Sequence, residues 1–114
     1  MSRDEIMYLQ DIAESCARIQ RYTQGLTQAE LIQDERTYDA VVRNLEIIGE
    51  AAKHLSDHLR SRMLDIEWRK VASMRDIIAH VYFGIDNDIL WDVVQNKIPQ
   101  LGHSIDSFLH RGSG

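Results

Sequence analysis

Apolar residues recur at three- and four-residue steps along almost the whole chain, which is the spacing of one face of an α-helix. The first such stripe predicts a helix over about residues 3–23, and its members are Ile6, Leu9, Ile12, Ala13, Cys16 and Ile19. No segment shows the apolar and polar alternation, with a period of two, that is typical of a half-buried strand. The sequence therefore predicts an all-α fold, a bundle of four to five helices.

Capping signals divide the first half of this pattern. Gly25 is expected to end the first helix, and Thr27 and Glu30 have the spacing of a capping box for a short helix. Asp34 is placed to cap a longer helix, whose apolar face extends from residue 38 to residue 59.

Small residues lie in the middle of that long helix, at Gly49, Ala51 and Ala52. They would let another helix approach closely, either from within the chain or from a second copy. The intrachain contact is the interpretation we favour.

The second half contains two further helical patterns. Asp65 is placed to cap a helix over about residues 67–80, and Asp88 is placed to cap the last helix. Pro99 falls inside that last helix. Because proline lacks the backbone N–H and clashes with the preceding turn, we expect the helix to kink or restart near Asn96.

Composition limits the class of protein. The chain has 114 residues, so we expect one domain over residues 1–111 and a frayed tail over 112–114. One cysteine excludes a disulfide scaffold, and neither an apolar run for a membrane span nor a signal-peptide core is present, which predicts a cytoplasmic protein. The net charge of −5 argues against a protein that binds nucleic acid by bulk charge.

Arg75, His80 and Tyr82 stand at fixed steps in the segment MRDIIAHVYFG. They converge only if the helix that carries Arg75 ends near His80, because five residues place two side chains roughly 140° apart on an ideal helix. Asp76 lies one turn before His80, where its carboxylate could accept a hydrogen bond from the imidazole and fix its tautomer.

These residue types suit phosphodiester cleavage. A guanidinium binds phosphate, and histidine moves protons near neutral pH. RNA supplies its own nucleophile, the 2′-hydroxyl, so that neither metal nor cofactor is required, and a symmetric dimer would bring a second His80 to the same cleft. Spacing alone leaves the alternative open that Arg75 and His80 are surface residues near a helix end and Tyr82 is a core anchor.

The pattern Arg-x4-His-x-Tyr, within MRDIIAHVYFGIDNDILWDVV, resembles the HEPN domain of the HepT-like toxins. The segments YDAVVRNLEIIGEAAKHLS and IEWRKVASMRD are similar to the same family, so that the resemblance extends over about residues 3–109. It implies a HEPN-type bundle and a metal-independent endoribonuclease that dimerises, with Arg75 and His80 as catalytic residues, while the supporting role of Asp76 rests on its spacing from His80. Asp76 itself departs from the Asn of many relatives.

The resemblance also implies a toxin-antitoxin pair. The partner would be a nucleotidyltransferase antitoxin of the MntA type, which silences the toxin by transferring AMP from ATP to Tyr82. AMP adds negative charge and bulk beside the phosphate-binding Arg75, so it would exclude RNA. The alternative is a helical module that docks a nucleotidyltransferase and has no nuclease activity.

Other candidate residues have simpler interpretations. His54, His58 and Glu50 have a spacing that can bind zinc, but no further His or Cys completes the set. We expect His103 and His110 to lie on a polar rim, Trp68 and Trp91 to be core or interface anchors, and Cys16 to be a core residue.

Overall fold

Six helical segments form the described part of this computed structural model, which comprises residues 2–74 and 86–112. The first five are α1 (Arg3–Thr23), α2 (Gln28–Gln33), α3 (Glu35–Lys53), α4 (Asp57–Ser61) and α5 (Trp68–Ala72). The sixth, α6, is continuous and comprises Asn87–Asp92, a π-helical segment Val93–Lys97, and Ile98–Gly112. These ranges contain no strand. The predicted all-α fold is confirmed, with six helices in the described ranges against the four to five expected.

α1 and α3 run antiparallel, and contacts at one end fix their alignment. The Tyr8 ring stacks on the His54 ring, with the centroids 4.8 Å apart and the planes 11° apart. Glu5 Oε1 accepts a hydrogen bond of 2.9 Å from the Ser56 backbone amide. The start of α1 therefore lies beside the end of α3, and the α1 stripe packs into the core, where Leu9, Ile12 and Ile19 are fully buried.

The caps predicted in the first half are confirmed. Gly25 adopts a φ of 79°, the left-handed conformation that glycine adopts without steric cost. Thr27 Oγ1 accepts from the Glu30 amide at 3.2 Å, and Glu30 Oε1 accepts from the Thr27 amide at 3.0 Å. Asp34 Oδ1 accepts from the Thr37 amide at 3.2 Å. Local hydrogen-bonding rules are sufficient to place these helix starts.

The small residues of α3 are buried within the chain, which agrees with the intrachain contact favoured from the sequence. Ala51 and Ala52 are 5% and 1% exposed, and Gly49 is also buried. A second close approach joins α1 to α6, where a Cβ built on Gly102 would lie 3.1 Å from the Cβ of Cys16. The small residues thus let helices of one chain approach closely.

The helix predicted over residues 38–59 is divided in two. α3 ends at Lys53, and Ser56 caps α4 by accepting a hydrogen bond of 3.1 Å from the Leu59 amide. Leu55 and Leu59 are both buried, so the apolar face continues across the break. Because α3 and α4 bury residues in one core, apolar spacing alone does not show where the backbone changes direction.

Two predicted caps are wrong. α5 begins at Trp68 after Glu67, which makes no capping hydrogen bond, so that Asp65 lies too early in the chain to cap it. α6 is capped by Asp86, whose Oδ1 accepts from the Ile89 amide at 3.3 Å. Asp88 lies in the first turn of α6, where it accepts a hydrogen bond of 2.6 Å from Gln28 Nε2 of α2. A tertiary contact therefore engages the side chain that the sequence assigned to capping.

The interruption expected near Asn96 is present as a π-helical turn. It extends over Val93–Lys97 and ends two residues before Pro99, and the Ile98 amide donates to the Val93 carbonyl. Widening the turn relieves the clash of a proline ring with the preceding turn while the helix remains continuous. Core residues continue through it and on both sides, including Leu90, Val94, Ile98, Leu101 and Ile105.

No helix in the described ranges is long and apolar enough to cross a lipid bilayer.

Candidate active site

The four residues predicted to carry the chemistry are Arg75, Asp76, His80 and Tyr82, and all four lie outside the described residues. The site is therefore defined by the two chain positions that bound the segment 75–85. These are Met74, which follows α5, and Asp86, which precedes α6.

The position before the segment is held by the core. Trp68, Val71 and Met74 are 8%, 6% and 4% exposed, and they recur at the three-residue steps that place side chains on one helix face. Trp68 is expected from the sequence to be a core or interface anchor, and its burial in the core confirms this. Burial of these three side chains fixes the end of α5 and hence the point from which the motif begins.

The position after the segment is held by hydrogen bonds to α2 and α3. Tyr38 Oη donates to Asn87 Oδ1 at 2.8 Å, and Gln28 Nε2 donates to Asp88 Oδ1 at 2.6 Å. Asp86 caps the same helix end. Two side-chain contacts with distant parts of the chain therefore fix where the segment 75–85 rejoins the fold.

A cleft of about 100 Å³ lies between α5 and α6, beside the start of the segment. We call it the α5–α6 cleft. Its floor is apolar and consists of Ile66, Val71, Met74 and Leu101. Its rim is polar and consists of Asp65, Glu67, Lys70, Lys97, Gln100 and Ser104.

The charges on this rim interact with one another. Lys70 Nζ lies 2.8 Å from Glu67 Oε2. The hydrogen bond and the charge of Lys70 lower the pKa of the Glu67 carboxyl, with a smaller contribution from the charge of Lys97, and Glu67 raises the pKa of Lys70. Two lysines and two carboxylates leave the rim without net charge at neutral pH.

Sequence reasoning did not identify this cleft. The sequence contains one pattern that belongs to the cleft: Lys97, Gln100 and Ser104 share one face of α6 at steps of three and four residues. That face is polar beside an apolar stripe, as on any surface helix. Only the tertiary structure, which places α5 and its flanking residues beside that face, makes a concave site.

The remaining histidine candidates lie elsewhere. His54 is stacked on Tyr8, and its Nε2 is 3.7 Å from Glu50 Oε1. Within residues 2–74 and 86–112, no three His, Cys, Asp or Glu side chains are grouped so that they could hold a metal ion. His103 and His110 are exposed on α6, as expected of a polar rim.

Cys16 is fully buried in the α1 stripe, which confirms its predicted place in the core. Burial raises the pKa of its thiol to about 12, with a smaller contribution from the charge of Asp106. A thiol with this pKa remains protonated at neutral pH and is a poor nucleophile.

Comparisons with known proteins agree with the resemblance noted in the sequence. Residues 12–108 match the model of a family described as "Ribonuclease HepT-like". The chain is 41% identical over 101 residues to a Thermococcus cleftensis protein named "Probable ribonuclease HepT", covering 89% of this chain and 92% of that protein. It is 39% identical over 97 residues to a Methanocaldococcus jannaschii protein named "Putative RNase", covering 85% and 80%.

No solved structure matches the chain. The family match extends over most of the chain and includes α3, α5, the motif segment and most of α6. The chain belongs to the HepT-like ribonuclease family.

Proposed function

We propose that this protein is a metal-independent endoribonuclease, the toxin of a toxin-antitoxin pair. The observation that carries the proposal is that the family match over residues 12–108 contains the complete Arg75-x4-His80-x-Tyr82 motif. Relatives that match over most of their length carry ribonuclease names.

The proposed chemistry uses the 2′-hydroxyl of RNA as the nucleophile. That oxygen attacks the adjacent phosphorus while a His80 imidazole removes its proton. The guanidinium of Arg75 stabilises the charge that develops on the phosphorane. The bond to the 5′-oxygen then breaks and that oxygen takes a proton, which leaves a 2′,3′-cyclic phosphate and a 5′-hydroxyl.

Two protonation groups are needed for full acid-base catalysis, and each chain has one motif histidine. We therefore propose a homodimer in which two copies of the motif share one cleft. A dimer of this kind holds two Arg75 side chains beside the substrate, so local charge binds phosphate although the net charge of each chain is −5.

The anchoring of the chain on both sides of the motif supports a catalytic role. Met74 is buried before the segment, and Asn87 is hydrogen-bonded to Tyr38 after it. Catalytic side chains need positions held by packing and by supporting hydrogen bonds.

Silencing would take place at Tyr82. Its phenolic oxygen attacks the α-phosphorus of ATP on the nucleotidyltransferase antitoxin, the bond to the β-phosphate oxygen breaks, and pyrophosphate leaves as the phenol loses its proton. The attached AMP carries a negative phosphate that competes with RNA for Arg75.

Cleavage of RNA in EDTA by the purified protein tests the nuclease. We expect the parent to cut RNA and both Arg75→Ala and His80→Ala to lose at least about 100-fold in rate, the order typical of removing a general acid-base group. Exposed residues of the same types provide the matched controls, Arg43→Ala on α3 and His103→Ala on α6, which should cut normally. Undiminished cleavage by Arg75→Ala and His80→Ala would overturn the proposal, and no cleavage by the parent would favour the alternative of a non-catalytic docking module.

Intact-mass measurement after incubation with the cognate antitoxin and ATP tests the silencing. We expect one or more AMP units on the parent and on Tyr22→Phe, whose ring is exposed on α1, and none on Tyr82→Phe. Equal modification of Tyr82→Phe would place the acceptor elsewhere.

Light scattering tests the dimer, and a monomer at micromolar concentration would contradict the shared cleft.

A further inference from the structure

We propose that the α5–α6 cleft binds one nucleobase of the RNA substrate next to the bond that is cut, with Lys97 contacting a flanking phosphate. This inference rests on the proposed ribonuclease function and names a binding site for its substrate. It depends on five features of the cleft: its position, its size, its lining, its charge and the backbone position of Lys97.

The position links the cleft to the motif. Met74 forms part of the cleft floor, and Arg75 follows it in the chain. Consecutive Cα atoms are about 3.8 Å apart, so the backbone that enters the motif begins at the cleft. A nucleotide in the cleft would therefore be close to the start of the catalytic segment.

The size and lining fit a single ring system. About 100 Å³ is well below the roughly 300 Å³ at which pockets for drug-sized ligands begin. The floor presents three aliphatic side chains and the Met74 thioether, and sulfur packs favourably against aromatic rings. The Gln100 amide both donates and accepts hydrogen bonds, which matches the mixed edge of a base.

The charges favour a neutral heterocycle with a phosphate beside it. The rim carries no net charge, which suits a base because bases are uncharged at neutral pH. Lys70 is paired with Glu67, whereas Lys97 forms no ion pair within the described ranges and acts on Glu67 only through its charge. Lys97 is thus the lysine of this rim that is available to a phosphate oxygen.

Lys97 also occupies a special backbone position. It is the last residue of the π-helical segment, and Gln100 and Ser104 follow on the same face of α6. Short π-helical segments inside α-helices are frequent at functional sites. Specific RNA recognition usually targets unstacked bases, which a small concave site of this kind would accommodate.

Hydrogen exchange of the His80→Ala protein, which should leave RNA uncut, tests the inference. The probes are the four nucleoside 5′-monophosphates and single-stranded homopolymers of each base. We expect slower exchange in residues 66–74 and 97–104, with one base preferred over the others. Gln100→Ala should reduce that preference, because it removes the amide proposed to contact the base edge while leaving an exposed helix position intact.

Salt dependence tests the role of Lys97. Removing one phosphate contact on a single strand should reduce the slope of log Kd against log salt by about 0.7. We expect this change in Lys97→Gln and none in the matched control Lys53→Gln, an exposed lysine at the end of α3.

The outcomes separate this inference from the proposed function. RNA cleavage by the parent without protection of the cleft, or with unchanged binding by Lys97→Gln and Gln100→Ala, overturns the nucleobase site and leaves the nuclease standing. Nucleotide binding in the cleft without any RNA cleavage supports a nucleotide site and overturns the nuclease. Dissociation of a dimer by Gln100→Trp, with RNA binding intact, would assign the cleft to a second copy of the chain and overturn the inference.

Discussion

Tyr38 Oη lies 2.8 Å from Asn87 Oδ1 and donates a hydrogen bond that joins the first turn of α3 to the first residue of α6. The two residues are 49 positions apart in the sequence. The bond therefore fixes the far end of the motif segment to α3, the helix that packs against α1.

Tyr38→Phe should loosen this attachment. A hydrogen bond of this kind contributes about 0.5–1.5 kcal/mol, so we expect a decrease of that order in the free energy of unfolding and faster amide exchange at the start of α6. The matched control is Tyr22→Phe, which removes a hydroxyl from an exposed tyrosine of α1. Equal stability of the two variants would show that the hydroxyl of Tyr38 does not hold α6.

Asp86→Ala should destabilise the protein by about 1 kcal/mol, because the Ile89 amide loses its capping acceptor. Asp65→Ala is the informative comparison, because the sequence pattern predicts that Asp65 caps a helix, whereas in the structure α5 begins after Glu67. Urea unfolding should leave Asp65→Ala within about 0.5 kcal/mol of the parent, as is usual for surface substitutions. A larger effect at Asp65 than at Asp86 would reverse the assignment of the caps.

Glu5 should make folding sensitive to acid. Hydrogen bonds from Ser56, from its hydroxyl first and then its backbone amide, lower the pKa of the Glu5 carboxyl below its usual value of 4.5. The ionised form is favoured in the folded state, so its contribution is present above about pH 4.5 and is lost as the pH falls through the lowered value. Melting temperatures from pH 7 to pH 3 should decline less steeply for Glu5→Gln than for the parent, and parallel curves would contradict this.

Cys16 should resist alkylation in the folded protein. Its side chain is 0% exposed, and burial raises the pKa of its thiol to about 12, so the reactive thiolate is scarce at pH 8. We expect iodoacetamide to modify Cys16 only under denaturing conditions. Stoichiometric labelling of the native protein within minutes would mean that α1 separates from α6 readily.

The sequence by itself determined the helical class, the bounds of α1 and the caps at Thr27 and Asp34, because each depends on residues within one or two turns of each other. It also placed the interruption before Pro99, since the missing N–H and the ring clash are local. The motif with Arg75, His80 and Tyr82 was readable for the same reason: its spacing lies within eight residues.

Only the tertiary structure decided where α3 ends and α4 begins, because Leu55 and Leu59 enter one core and the apolar pattern does not register the break. It also decided that Asp86 caps α6 while Asp88 contacts α2, since Gln28 reaches that carboxylate from 60 residues away. The α5–α6 cleft is likewise a feature that only the tertiary structure decides. Its floor and rim come from α6 and from α5 with the residues on either side of it, which are distant in the sequence, and the fold brings Met74 and Lys97 to one concave surface.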